Sequence, residues 1–145
     1  MSAAGEARFD AKAFALLSEM REEDARALAE LVEFKKLARG RKLFREGGEA
    51  EGLVLLASGR LELTSKRGEK AEIGPGSALG GLSLVVIGPR ETTARTLEPC
   101  GLWTLQREDF LRLADDHPRT ACRLCEAILQ EVGSALREQL GAAAR

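Results

Sequence analysis

Histidine is nearly missing from this chain. His117 is the only one, so a centre that needs several imidazoles to hold a metal cannot be assembled. No Ser/His/Asp or Cys/His grouping suggests a nucleophile with its base, and His117 stands in Asp116-His117-Pro118, a helix break where capping or exposure accounts for it. Tyrosine is absent and Trp103 is the one tryptophan. The basic run Lys35, Lys36, Arg39, Arg41, Lys42 and Arg45 therefore has no interleaved stacking platform for bases. Glu46, Glu49 and Glu51 follow it at once, as on a solvated strand face. Neither sign of charge is in excess: 22 Lys and Arg face 23 Asp and Glu, for a net charge of -1, so no direct contact with DNA is expected. Three cysteines, an odd number, do not describe a disulfide framework. No apolar run approaches the ~20 residues of a membrane span. The opening MSAAGEARFD lacks a basic start before an apolar core, so it does not read as a signal peptide. These absences point to a cytoplasmic, non-catalytic chain with neither metal nor resident cofactor.

What is present fits one domain over residues 1–145, long enough to bury a core. The expected division is helices over about 11–34, strands over about 35–106 and helices over about 107–140. Ala11–Met20 reads as a short helix carrying Phe14 and Leu17. Glu22–Phe34 reads as a second, with Glu22, Glu23 and Asp24 suiting its positive N-terminus and Ala25, Leu28, Ala29 and Val32 forming its apolar face. From Phe34 to Gly74 short runs are separated by Arg39-Gly40, Glu46-Gly47-Gly48, Ser58-Gly59 and Arg67-Gly68, the punctuation of a sandwich or barrel. Leu61 and Leu63 alternate with polar neighbours as in a half-buried strand. Glu91–Leu97 and Cys100–Leu105 read as further strands, with Trp103 and Leu105 on one face. Arg107–Asp115 is helical through Phe110, Leu113 and Ala114, and Pro118 suits the first turn of a restarted helix. Thr120–Leu140 is the longest helical pattern. Ala121, Cys125, Ile128, Val132 and Ala135 form one stripe, and Leu124, Leu129, Leu136 and Leu140 form a second line. One face can pack on the strands and leave the other to a partner helix. The tail Gly141–Arg145 reads as frayed.

The stretch Ile73–Cys100 organises the rest. Gly74, Gly76, Gly80 and Gly81 permit tight turns, Leu82–Ile87 is too short to be an independent helix, and Arg90 sits beside a Thr-rich strand. Backbone N–H groups at a helix start with one Arg in reach suit a small anion. Gly74-x-Gly76 lacks the third glycine and the βαβ setting of a dinucleotide fingerprint, and no Gly-Lys-Ser/Thr makes a P-loop. Cys122-x-x-Cys125, even with Cys100, falls short of four zinc ligands and is more simply a pair of small apolar residues. Asp115-Asp116 suits a turn.

The residues Leu79, Gly80, Gly81, Leu82, Ser83, Leu84, then Pro89, Arg90, Glu91, Thr92, Thr93, then Leu97, Glu98, Pro99, Cys100 resemble the phosphate-binding cassette of cyclic-nucleotide-binding domains, as in catabolite-activator-type regulators and protein kinase A regulatory subunits. The resemblance runs from about Phe14 to about Leu140. It implies a mainly β fold with flanking helices (α+β), an antiparallel double-stranded β-helix or jelly roll with N-terminal helices and a long C-terminal helix. It implies cAMP or cGMP as ligand, held by a cassette of Gly80, Gly81, Leu82, Ser83, Arg90, Glu91, Thr92 and Thr93, with Arg90 on the cyclic phosphate. It implies a homodimer or effector contact through Cys125, Ile128, Val132 and Ala135 of the last helix.

Three positions depart from the pattern. Gly81 stands where the family has the Glu that accepts from the ribose 2′-hydroxyl, Glu91 where the residue is small, and Thr92 where it has Ala. A lost hydrogen bond to a charged acceptor costs about 1.5–3 kcal/mol. A carboxylate about 6 Å from a phosphate adds roughly 3 kcal/mol of repulsion at an effective dielectric of ~20. Together they weaken a site by about three orders of magnitude, unless Glu91 points outward. The expectation is a stand-alone regulatory or interaction module with a weakened or lost cAMP/cGMP site. The alternative is a working sensor that signals to a separate effector through the C-terminal helix. Since the chain ends just after that helix, no appended DNA-binding or other output domain is expected.

Overall fold

The run Leu53-Val54-Leu55-Leu56 is buried at every position, so the strand that carries it must be covered on both faces. The computed structural model, which describes residues 8–50, 52–86 and 88–143, shows how. The strands are β1 (Glu33–Leu37), β2 (Lys42–Phe44), β3 (Gly52–Ser58), β4 (Leu61–Thr64), β5 (Lys70–Ile73), β6 (Ala78–Leu79), β7 (Thr93–Thr96) and β8 (Cys100–Gln106). They form two antiparallel sheets, ordered β1-β8-β3-β6 and β2-β7-β4-β5. On one face of β3, Val54 and Leu56 pack with Leu61, Cys100 and Leu102 between the sheets. On the other, Leu53 and Leu55 lie opposite Leu105 and Trp103 and meet the helices. The expected jelly roll with N-terminal helical turns and a long C-terminal helix is therefore the fold observed.

All four glycine turns read from the sequence contain a glycine at positive φ. Gly59 is the most constrained: at φ +88 a Cβ would stand 2.4 Å from the Pro99 carbonyl oxygen and 2.6 Å from Cys100 Sγ. No larger residue fits between β3 and the start of β8. The six basic residues from Lys35 to Arg45 are all exposed.

The helices surround the outer face of the β1-β8-β3-β6 sheet. They are α1 (Glu22–Ala29), α2 (Arg107–Asp116) and α3 (Pro118–Ala143), with Pro118 at the first position of α3. Several boundaries differ from expectation. Ala11–Met20 is not one helix but two 3-10 turns, Ala11–Ala13 and Ala15–Leu17. Phe14 interrupts them in an extended conformation that buries its ring, which is 1% exposed. The second helix stops at Ala29 rather than Phe34, because Glu33–Leu37 is drawn into the ladder as β1, with Phe34 opposite Trp103. Its inward face carries Asp24, Ala27 and Leu28, while Ala29 is exposed. Asp24 therefore points into the protein instead of serving the helix terminus. The expected frayed tail is helical through Ala143; Ala144 and Arg145, like the earlier assignments touching Ile87, Glu51 and Met1–Ala7, lie outside the described residues.

Candidate functional site

Gly80 starts the site. Its backbone is left-handed, φ 74, and leads into a 3-10 turn, Gly81–Leu84. A Cβ here would lie 2.3 Å from Arg90 Nη1 and 2.8 Å from the Gly52 carbonyl oxygen, so conformation and space both demand glycine. The segment before Arg90 is pinned to the β2–β3 connection by backbone bonds. Arg90 N donates to Gly48 O at 2.7 Å, Gly47 N to Arg90 O at 2.8 Å and Ala50 N to Gly88 O at 3.1 Å. The Arg90 guanidinium then lies over the Phe44 ring, 4.3 Å from its centroid, and donates from Nη2 to Gly52 O at 3.2 Å. A cation on an aromatic face beside bare backbone is fixed in direction rather than free to sweep.

Cassette, roll and α3 enclose a pocket of about 380 Å³. Gly80, Gly81, Leu82, Ser83, Arg90, Glu91 and Thr92 all line it. Thr93 does not appear in its wall; its Oγ1 accepts from Glu46 N at 2.9 Å and so ties β7 to the β2–β3 connection. Glu91 is exposed and lines the pocket, so its carboxylate acts on the pocket through solvent.

The long helix closes the opposite wall. A Cβ on Gly81 would stand 3.1 Å from Ile128 Cγ1 and 3.3 Å from Cγ2. Ile128 is buried, Cys125 is half-buried against the same core, and Val132 and Ala135 line the pocket. Of the stripe expected to meet a partner, Ile128 and Cys125 are thus turned toward the chain's own roll, while Val132 and Ala135 line the pocket and remain exposed. The large apolar side chains α3 leaves exposed are Leu129 at 63%, Val132 at 36%, Leu136 at 53% and Leu140 at 61%.

Three residues take roles that the sequence did not assign to them. Glu131 lines the pocket from α3 and puts a second carboxylate there beside Glu91. Its spacing, three after Ile128 and four before Ala135, was the available signal. Arg107 lies behind the cassette, donating to the Ser83 and Val86 carbonyls; nothing in the sequence marks that role. Asp24, only 2% exposed, joins α1 to α3: Thr120 donates to its Oδ1 and Arg123 Nη1 lies 2.7 Å from its Oδ2. Burial pushes the Asp24 carboxyl up. The bonds from Thr120 and Arg123, with the charges of Arg123 and Arg21, outweigh this and hold it below the usual carboxylate value.

Burial raises the thiols of Cys100 and Cys125, the latter with help from neighbouring Cys122. Neither is an activated nucleophile. Among the described residues, no three His, Cys, Asp or Glu side chains gather where a metal ion would sit, and no helix is long and apolar enough to cross a membrane.

Residues 34–117 match the family model described as cyclic nucleotide-binding domain, which covers more than half the chain. The chain belongs to the cyclic nucleotide-binding domain family. Among curated relatives of this domain, the cAMP-dependent protein kinase regulatory subunit of Yarrowia lipolytica is 29% identical over 117 residues, 81% of this chain and 31% of the relative. The domain therefore spans about a third of that protein's length. Among solved structures, the N-terminal domain of a transcriptional regulator from Streptomyces coelicolor superposes with a TM-score of 0.74 at 28% identity, covering 86% of this chain and 90% of that one. The catabolite activator protein of Thermus thermophilus superposes with a TM-score of 0.72 at 27% identity, covering 88% and 62%. The pocket between cassette and α3 is thus this domain's candidate ligand site.

Proposed function

We propose that this chain is a regulatory or interaction module, not a catalyst, whose cyclic-nucleotide site is weakened. One observation carries the reading. Position 81 is glycine, so the family's ribose acceptor is missing, and even a Cβ there would come within 3.1 Å of Ile128, so α3 sits close against the cassette. The charges agree: Arg90 shares the pocket wall with Glu91 and Glu131, an unfavourable balance for a phosphate monoanion. A module of this kind acts through its surface. Exposed Leu129, Val132, Leu136 and Leu140 of α3, together with exposed Leu82, Val85 and Val86 of the cassette segment, are the apolar surface offered to a second copy or a separate effector.

A second reading, a working cAMP or cGMP sensor, is supported by the retained Arg90 and by a pocket volume in the range of small-molecule sites. In that case ligand must favour one position of α3 over another. Calorimetric titration of the purified chain with cAMP and cGMP, with Arg90→Ala as control, separates the two. Absence of heat to millimolar nucleotide supports the weakened site. Saturable micromolar binding that Arg90→Ala abolishes rejects it in favour of the sensor.

A further inference from the structure

Arg107 opens α2, where β8 turns into the helix. A cation in the first turn faces the positive end of the helix dipole and gains nothing locally. The side chain turns back beneath the cassette instead. Its Nη2 donates to Ser83 O at 2.6 Å, to Val86 O at 3.1 Å and to Ala50 O at 3.4 Å. Ser83 lies in the Gly81–Leu84 turn and Val86 just beyond it, where the end of a helical turn leaves carbonyls open to donors from outside the turn. Bonds from an ionised donor to such carbonyls are the stronger kind. Arg107 Nε is buried with no hydrogen-bond partner among the described residues, so this edge of the guanidinium is desolvated without return. The residue thus accepts a local cost at both its helix position and its Nε, and its visible return is the hold on the cassette.

We propose that Arg107 is a positioning residue that fastens the rear of the cassette to α2 and makes cassette and helices shift as one body. The chain of contacts is continuous. Arg107 starts α2; Phe110 and Leu113 of α2 share a core with Ala121, Leu124 and Ile128 of α3; Ile128 closes on Gly81 at the cassette's front. A displacement at either end reaches the other through one polar tie and one apolar tie. The proposal needs no nucleotide and stands whichever reading of the pocket is correct.

Hydrogen exchange on the full chain tests it, read at Ser83, Val85 and Val86, whose amides are bonded within the cassette turn. In Arg107→Ala these amides should exchange about tenfold to hundredfold faster, or ~1.4–2.8 kcal/mol of local protection at 1.4 kcal/mol per tenfold. Amides around Ile128 should accelerate with them, while β4 and β7 change less than about threefold. Arg107→Lys keeps the charge without the planar fork and should fall between; it also serves as the test if the alanine variant does not fold. An equal acceleration in strands and cassette would reduce Arg107 to general stability and overturn the proposal. So would unchanged exchange at 83–86, or a cassette that loosens while α3 does not.

Discussion

Replacing Asp24 with alanine should release α3 from α1 while leaving both sheets intact. The carboxylate is 2% exposed and receives Thr120 and Arg123. Removing one member of a buried ion pair costs about 3–5 kcal/mol, because the survivor keeps its desolvation penalty. Arg123 is 31% exposed and can recover water on one side, which brings the loss to about 2–3 kcal/mol. For a chain of this size that lowers the melting temperature by about 6–12 °C. The pH dependence is a sharper check. The folded carboxyl titrates below its unfolded value, so its contribution is fully present above about pH 4, the unfolded value, and is lost as pH falls through the folded value. Denaturant unfolding of both proteins from pH 7 to pH 2.5 should show a constant gap down to about pH 5 that narrows below about pH 4. A gap under about 0.5 kcal/mol at neutral pH, or one that persists unchanged in acid, refutes the reasoning.

Two further outcomes follow from single residues. Gly59→Ala combines a left-handed backbone with a Cβ pressed on Pro99 O, whereas Gly40→Ala at φ +78 meets nothing within 4 Å. In denaturant unfolding the first should lose more than about 2 kcal/mol of stability and the second about 1–2 kcal/mol; equal losses would show that the contact with Pro99 is relieved. Thiol labelling at pH 8 should mark exposed Cys122 first, with half-buried Cys125 slower and Cys100 reacting only on unfolding. Two thiols reacting at equal initial rates would contradict the burial described.

Much of the roll was legible because strands bounded by glycine turns have a local signature. The turns at Gly40, Gly47, Gly59 and Gly68 announce themselves through a conformation that other residues avoid. The cassette was legible for the same reason: Gly80 and Arg90 are fixed by one backbone requirement and one charge. The N-terminal boundaries were not, since spacings of three and four cannot be told apart over the few residues around Phe14. Glu33–Leu37 also owes its strand conformation to β8, some seventy residues away. Spacing alone does not decide which of the two apolar lines on α3 packs inward. Ile128 and Leu129 are adjacent and both apolar, and only contact with the roll decides that Ile128 is buried. Arg107 and Asp24 were invisible as site-shaping residues because a charge at a helix start already has a sufficient local explanation, favourable for Asp24 and merely tolerable for Arg107.

The contact between Gly81 and Ile128 also couples two positions that lie far apart in sequence. A carboxylate placed at position 81 would bring its first carbon within 3.1 Å of a branched side chain, which would have to give way by a few tenths of an ångström. Trimming Ile128 to make room would open a void in the core. A substitution at either position is therefore felt at the other, and the two are best changed together.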